Sequence, residues 1–198
     1  MKIWTMKTIQ TLLKILTISL FTLVLAACAM KAWQPVPGDY HLEEGYIVLR
    51  TDSLQIALRP ESYRGSRYGQ NPDFFAIYVQ LKNISSKKLE IPATAFAILA
   101  KGQQYDHIPL SYVLDDARDR MYFSQWQDPF QEQPTVVDER QKLKDEYYEL
   151  LANYFSFGEL LPSATKQGYL FYPRALARTD SLSIDALGKW VSFTRGVK

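Results

Sequence analysis

A two-residue apolar period governs most of this chain. Leu54, Ile56 and Leu58 alternate with Ser53, Gln55, Ala57 and Arg59. Phe75, Ile77, Val79 and Leu81 share one face of a longer run, and Phe74, Ala76 and Tyr78 give its other face an apolar start. Only an extended strand sends alternate side chains to a core and to water. Shorter runs at 46–50, 89–91, 95–100, 103–108, 168–173, 181–185 and 189–195 repeat the pattern. Turn chemistry separates them: Asn83-Ile84-Ser85-Ser86-Lys87-Lys88, Lys101-Gly102, and a polar loop over 60–72. About eight or nine short strands predict a β-sandwich, with a closed barrel as the competing architecture.

One segment breaks this period. Leu143, Tyr147, Leu150, Leu151, Tyr154 and Phe155 fall at helical spacing, with Glu139, Arg140, Lys142, Lys144 and Glu146 between them. The spacing predicts an amphipathic helix over 138–156, with Gly158 as its stop. It closes an insertion, 115–157, whose first part to Pro134 reads as irregular. The aromatic stripe either packs on the sandwich or, with Trp126 and Phe130, leaves Tyr147, Tyr154 and Phe155 as an exposed patch for a protein partner.

The N-terminus is of another kind. Lys2, Lys7 and Lys14 stand without an acid before an apolar run, Ile15 to Leu25. That run is about eleven residues, too short for a span of about 20 but suited to a secretory signal. Leu25-Ala26-Ala27-Cys28 follows and resembles the lipobox of bacterial lipoproteins. The resemblance implies cleavage after residue 27 and diacylglycerol on the Cys28 thiol, usually with an acylated amine. Two or three acyl chains hold a protein on a bilayer where one does not. Ala29 in place of Asp implies, by the lipoprotein sorting rule, an outer-membrane destination in a cell with two membranes. A cleaved signal with an incidental cysteine is the alternative.

Loss of those three lysines turns the formal charge of +2 into −1, which removes any compositional argument for nucleic acid. Cys28 is the only cysteine, so the domain has no disulfide and must stand on its core. The chain then divides into a signal (1–27), a lipidated Cys and tether containing Pro35, Pro37 and Gly38 (28–45), and one domain (46–198).

Tyr78-Val79-Gln80-Leu81-Lys82-Asn83, ending in Asn-x-Ser, resembles the telokin-like, immunoglobulin-like domains of bacterial lipoproteins. So do Phe96-Ala97-Ile98-Leu99 before Gly102 and Tyr105, and later Leu161-Pro162 with Gly168-Tyr169-Leu170-Phe171. The resemblance spans about 46–195 and implies an immunoglobulin-like sandwich serving as a non-enzymatic binding or spacer module. The insertion over 115–157 exceeds that family's pattern.

The residues themselves offer little chemistry. His41 and His107 are the only histidines and have no second cysteine to complete a metal set. Gly-x-Ser-x-Gly and phosphate-cradling glycine motifs are absent. Asp115, Asp116 and Asp119 are interleaved with Arg118 and Arg120, which favours a self-paired solvated loop over a calcium site. Tyr63, Arg64, Arg67 and Tyr68 in the 60–72 loop are candidate grips for an anionic ligand or glycan. The high tyrosine content, 13 residues, reads mainly as strand packing. The reading is therefore an envelope lipoprotein without catalysis or cofactor, acting as a binding or assembly accessory for an envelope protein. The alternative is a lipoprotein that binds a glycan or small ligand.

Overall fold

The alternating runs close into two five-stranded sheets. The computed structural model of the chain describes residues 32–61, 63–65, 69–70, 74–123 and 135–196. With strands numbered in chain order, the first sheet runs β1 (Ala32–Pro35), β14 (Lys189–Gly196), β13 (Ser181–Ala186), β9 (Phe96–Ala100), β10 (Gln103–Asp106). The second runs β12 (Thr165–Pro173), β7 (Phe74–Asn83), β4 (Leu54–Glu61), β3 (Tyr46–Arg50), β2 (His41–Glu43). Every pairing in the second sheet is antiparallel. Residues Trp33–Thr194 pack as one compact unit.

Their inner faces meet in one core. Ile47, Ile56, Leu58, Ile77, Val79, Leu81 and Leu170 come from the second sheet, and Phe96, Ile98, Ile184, Val191 and Phe193 from the first. Each such side chain contributes about 1.5–3 kcal/mol on leaving water, so this seam dominates the domain's stability. The molecule is a β-sandwich carrying a helical insertion. Three hairpins turn at Glu44-Gly45, Lys101-Gly102 and Leu187-Gly188, each with both residues at positive φ. That is the signature of the type I′ turn, whose twist matches the strands it joins.

Two ribbons lie beside the sheets: β5 (Arg64–Gly65) with β6 (Gly69–Gln70), and β8 (Leu89–Ile91) with β11 (Gly158–Leu160). The first falls within the expected loop of 60–72, into which β4 also extends as far as Glu61.

The insertion holds two helices rather than one. α1 spans Leu110–Phe123, where an irregular segment was expected from 115 onward, and α2 spans Thr135–Asn153. Leu110, Val113 and Leu114 already carry the i, i+3, i+4 spacing, and Val113 is fully buried. The acid–arginine cluster is part of this helix, where Arg118 and Asp115 pair at 2.7 Å on its surface. α2 ends before Gly158, which instead opens β11 at φ +95°. Among the described residues no helix is long and apolar enough to cross a membrane.

Both ends of the insertion close the free edge of β12. The Ile108 N–H donates to the Phe171 carbonyl at 2.7 Å, and the Phe155 N–H donates to the Tyr169 carbonyl at 2.9 Å. An unpaired edge strand of nine residues invites pairing with another chain, and these two bonds occupy its middle. Just past α2 the chain straddles β12. Tyr154 joins the outer cluster of Tyr63, Ala76, Val113, Leu150 and Phe171, whereas Phe155 enters the main core against Phe96.

Candidate functional site

The outer face of the second sheet is where the fold presents ordered polar and aromatic side chains. Strand pairing aligns Tyr169, Tyr78 and Arg59 in one row across β12, β7 and β4. Gln167, Gln80, Ala57 and Val48 form the next row. The helices cover this face at the Ala76–Phe171 end.

At the boundary the side chains satisfy one another. The Tyr169 hydroxyl donates to Glu61 Oε1 at 2.8 Å, and Arg59 Nε donates to Glu61 Oε2 at 2.9 Å. The Arg59 guanidinium also lies 4.2 Å above the Tyr46 ring, a cation–π contact. Tyr46 meets Tyr78 edge-on at 5.6 Å, Tyr78 meets Tyr169 at 5.3 Å, and the Tyr78 hydroxyl donates to Gln167 at 3.1 Å. Burial, reinforced by the Glu61 carboxylate, raises the Tyr169 phenol well above its ordinary value. Burial likewise raises Tyr78, with smaller contributions from Tyr46 and Glu61. These phenols stay protonated, so they donate hydrogen bonds. They are not poised as bases.

Beyond that row the face sinks into a concavity of about 350 Å³, lined by Glu43, Glu44, Tyr46, Val48, Gln55, Ala57, Gln80 and Lys82. A second concavity, about 270 Å³, lies where the chain crosses from β1 to β2, beside Arg50, Lys189 and the exposed Trp190.

The residues singled out from sequence scatter. Leu25, Ala26, Ala27, Cys28, Arg67, Tyr68, Trp126 and Phe130 lie outside the described residues, as does the side chain of Arg64. Tyr63 is 3% exposed, wedged edge-on against Tyr169 and Phe171 at 4.9 and 5.3 Å. It is a packing residue with no face left for a ligand. Phe155 is fully buried, and so is no part of an exposed patch. Tyr154 is half-buried, its hydroxyl donating to the Ile108 carbonyl at 3.1 Å, and Tyr147 is partly buried against the same cluster. Among the described residues, the exposed large apolar side chains of the two helices are instead Tyr112, Tyr148 and Leu151.

His107 is structural. Its Nε2 lies 3.0 Å from the Ala93 carbonyl and its ring stacks on Phe157 at 4.7 Å. His41 is exposed in β2, opposite Val48. Among the described residues no group of three or more His, Cys, Asp or Glu side chains could hold a metal ion. The open concavity escaped the sequence reading because Gln55, Gln80 and Lys82 are ordinary outward residues of strands. The register of β3, β4 and β7 alone brings them together. Comparison of the chain with family models, with curated proteins and with solved structures found no match to any of them.

Proposed function

We propose that this chain is an exported envelope lipoprotein, held on a membrane through acylated Cys28, that works by binding rather than by catalysis. Its helical insertion is the surface that meets an envelope protein. The observation that carries this reading is how the insertion divides its apolar residues. Val113, Leu150 and Tyr154 go to the sheet, while Tyr112 (63%), Tyr148 (56%) and Leu151 (46%) stay exposed. Tyr148 and Leu151 sit at i, i+3 on α2 and so share one strip of its surface. The lipid supports the same reading, because confinement to a membrane raises local concentration and lets a weak contact suffice.

The test is co-purification from crosslinked, detergent-solubilised membranes with a C-terminal tag, comparing the native chain with Tyr148→Ser, Leu151→Ser. A stoichiometric envelope protein that disappears in the variant, at unchanged thermal stability, supports the assembly role. Recovery of the tagged chain alone overturns it.

A further inference from the structure

We infer that the open concavity on the second sheet is a glycan site: Gln55, Gln80, Lys82 and Tyr46 bind a neutral, hydroxyl-rich oligosaccharide. This site is separate from the insertion's exposed strip and does not depend on the protein-binding reading.

Hydrogen bonds are unevenly distributed over this face. Tyr169 and Arg59 both donate to Glu61, and Tyr78 donates to Gln167. On the same face of β4 and β7, Gln55 and Gln80 are half-buried, yet neither amide has a partner among the described residues. An amide has two donor hydrogens and an acceptor oxygen, and folding normally engages them as burial increases. Two half-covered amides without an internal partner are free to bond an external one.

The amides also select a chemical class of ligand. Each sugar hydroxyl both donates and accepts, which one amide can match on two neighbouring hydroxyls. Gln80 stands directly opposite Ala57, and Gln55 directly opposite Lys82, so the two glutamines lie on a diagonal about 7–8 Å apart at the backbone. A sugar ring placed between them is bonded at opposite edges. Beneath it, Ala57 offers a small apolar surface to ring C–H groups. Glu43 and Glu44 add acceptors and Lys82 adds a donor at the rim. The volume of about 350 Å³ falls at the lower end of the range for small-ligand sites, about 300–1,000 Å³. Two carboxylates against one ammonium make the lining net negative. That disfavours uronate and phosphate ligands, because like charges repel at this range.

The experiment is titration calorimetry on the full chain in lauryldimethylamine oxide, a detergent with no sugar headgroup. The probes are tri-N-acetylchitotriose, maltotriose and the anionic trigalacturonate. Expected is saturable binding of a neutral trimer in the millimolar range or tighter, weakened about tenfold by Gln80→Ala and again by Gln55→Ala. Trigalacturonate should bind at least about tenfold more weakly. If Gln80→Ala fails to fold, Lys82→Ser, an exposed rim position, takes its place. No saturable binding of either neutral trimer below about 10 mM overturns the assignment, as does binding unaffected by these variants or a preference for trigalacturonate.

Discussion

Gly168 leaves open the space that the Phe155 backbone fills. A Cβ on Gly168 would stand 2.7 Å from the Phe155 nitrogen and 2.8 Å from the Asn153 carbonyl oxygen. Both are backbone atoms, so no side-chain rotation relieves the clash. Phe155 is anchored from both directions, by its N–H to Tyr169 and by its ring in the core against Phe96. Gly168→Ala must therefore push the end of α2 off β12. The expected loss is about 1–3 kcal/mol, measured by urea denaturation. Hydrogen exchange should rise at Phe155 and along α2 before it rises in β4 and β7. Uniform protection across both regions would refute this.

Asn83 is the buried polar counterpart. It is fully enclosed, and its Nδ2 donates to the carbonyls of Lys87 at 2.7 Å and Leu160 at 3.1 Å. Its Oδ1 accepts from both the backbone N–H and the hydroxyl of Ser85. One side chain thus fastens the turn after β7 to the end of β11. Asn83→Ala strands those groups and should cost about 2–4 kcal/mol. Asn83→Asp keeps the acceptor but sets a carboxylate against two carbonyls. It should be the worse variant at neutral pH and partly recover in acid, where protonation restores one donor. Equal stability of the two variants across that range would count against this account.

These two residues mark what was legible beforehand. The Asn83 turn and the strands flanking it were readable, because alternation and turn chemistry act within a few residues of themselves. The role of Gly168 was not, since its neighbour Phe155 arrives from the far side of a helical insertion. Tyr154 and Phe155 continued the helical spacing past the true end of α2. They are apolar because they straddle β12, not because they share a helix face. α1 was hidden by its charges: Asp115, Arg118 and Asp119 suggested a loop, though Leu110, Val113 and Leu114 kept helical period. The open concavity had no local signal at all. Sheet register assembles it, and one strand read alone does not disclose which outward residues its neighbours contribute.

The buried phenols predict an alkaline limit to stability. Burial raises Tyr63, Tyr154 and Tyr172, and burial with the Glu61 carboxylate raises Tyr169. An unfolded tyrosine ionises near pH 10, whereas these release their protons later. In that window the unfolded chain binds fewer protons than the folded one, so stability falls as pH rises and is intact below it. The urea midpoint should be flat from about pH 7 to 9 and decline steeply above about pH 10. Tyr169→Phe removes one contributing group, so it should lower the plateau yet flatten the decline. A decline as steep in the variant as in the native chain would sink the assignment to Tyr169.

The proposed lipid anchor makes the last prediction, and it separates location from folding. The described domain, Trp33–Thr194, has its own two-sheet core and contains no cysteine. Cys28→Ser should therefore leave thermal unfolding of the domain unchanged while moving the protein from the membrane fraction to the soluble one. Each acyl methylene lost removes about 0.8 kcal/mol of membrane affinity, so two or three chains together leave no intermediate behaviour. Metabolic labelling with a radioactive fatty acid should mark the native chain and fail on the variant. Membrane retention after a salt wash of Cys28→Ser that mass spectrometry shows to lack residues 1–27 would mean that the domain itself holds the bilayer. The exposed Trp190, with Lys189 and Arg50 around the smaller concavity, would then be the first surface to mutate.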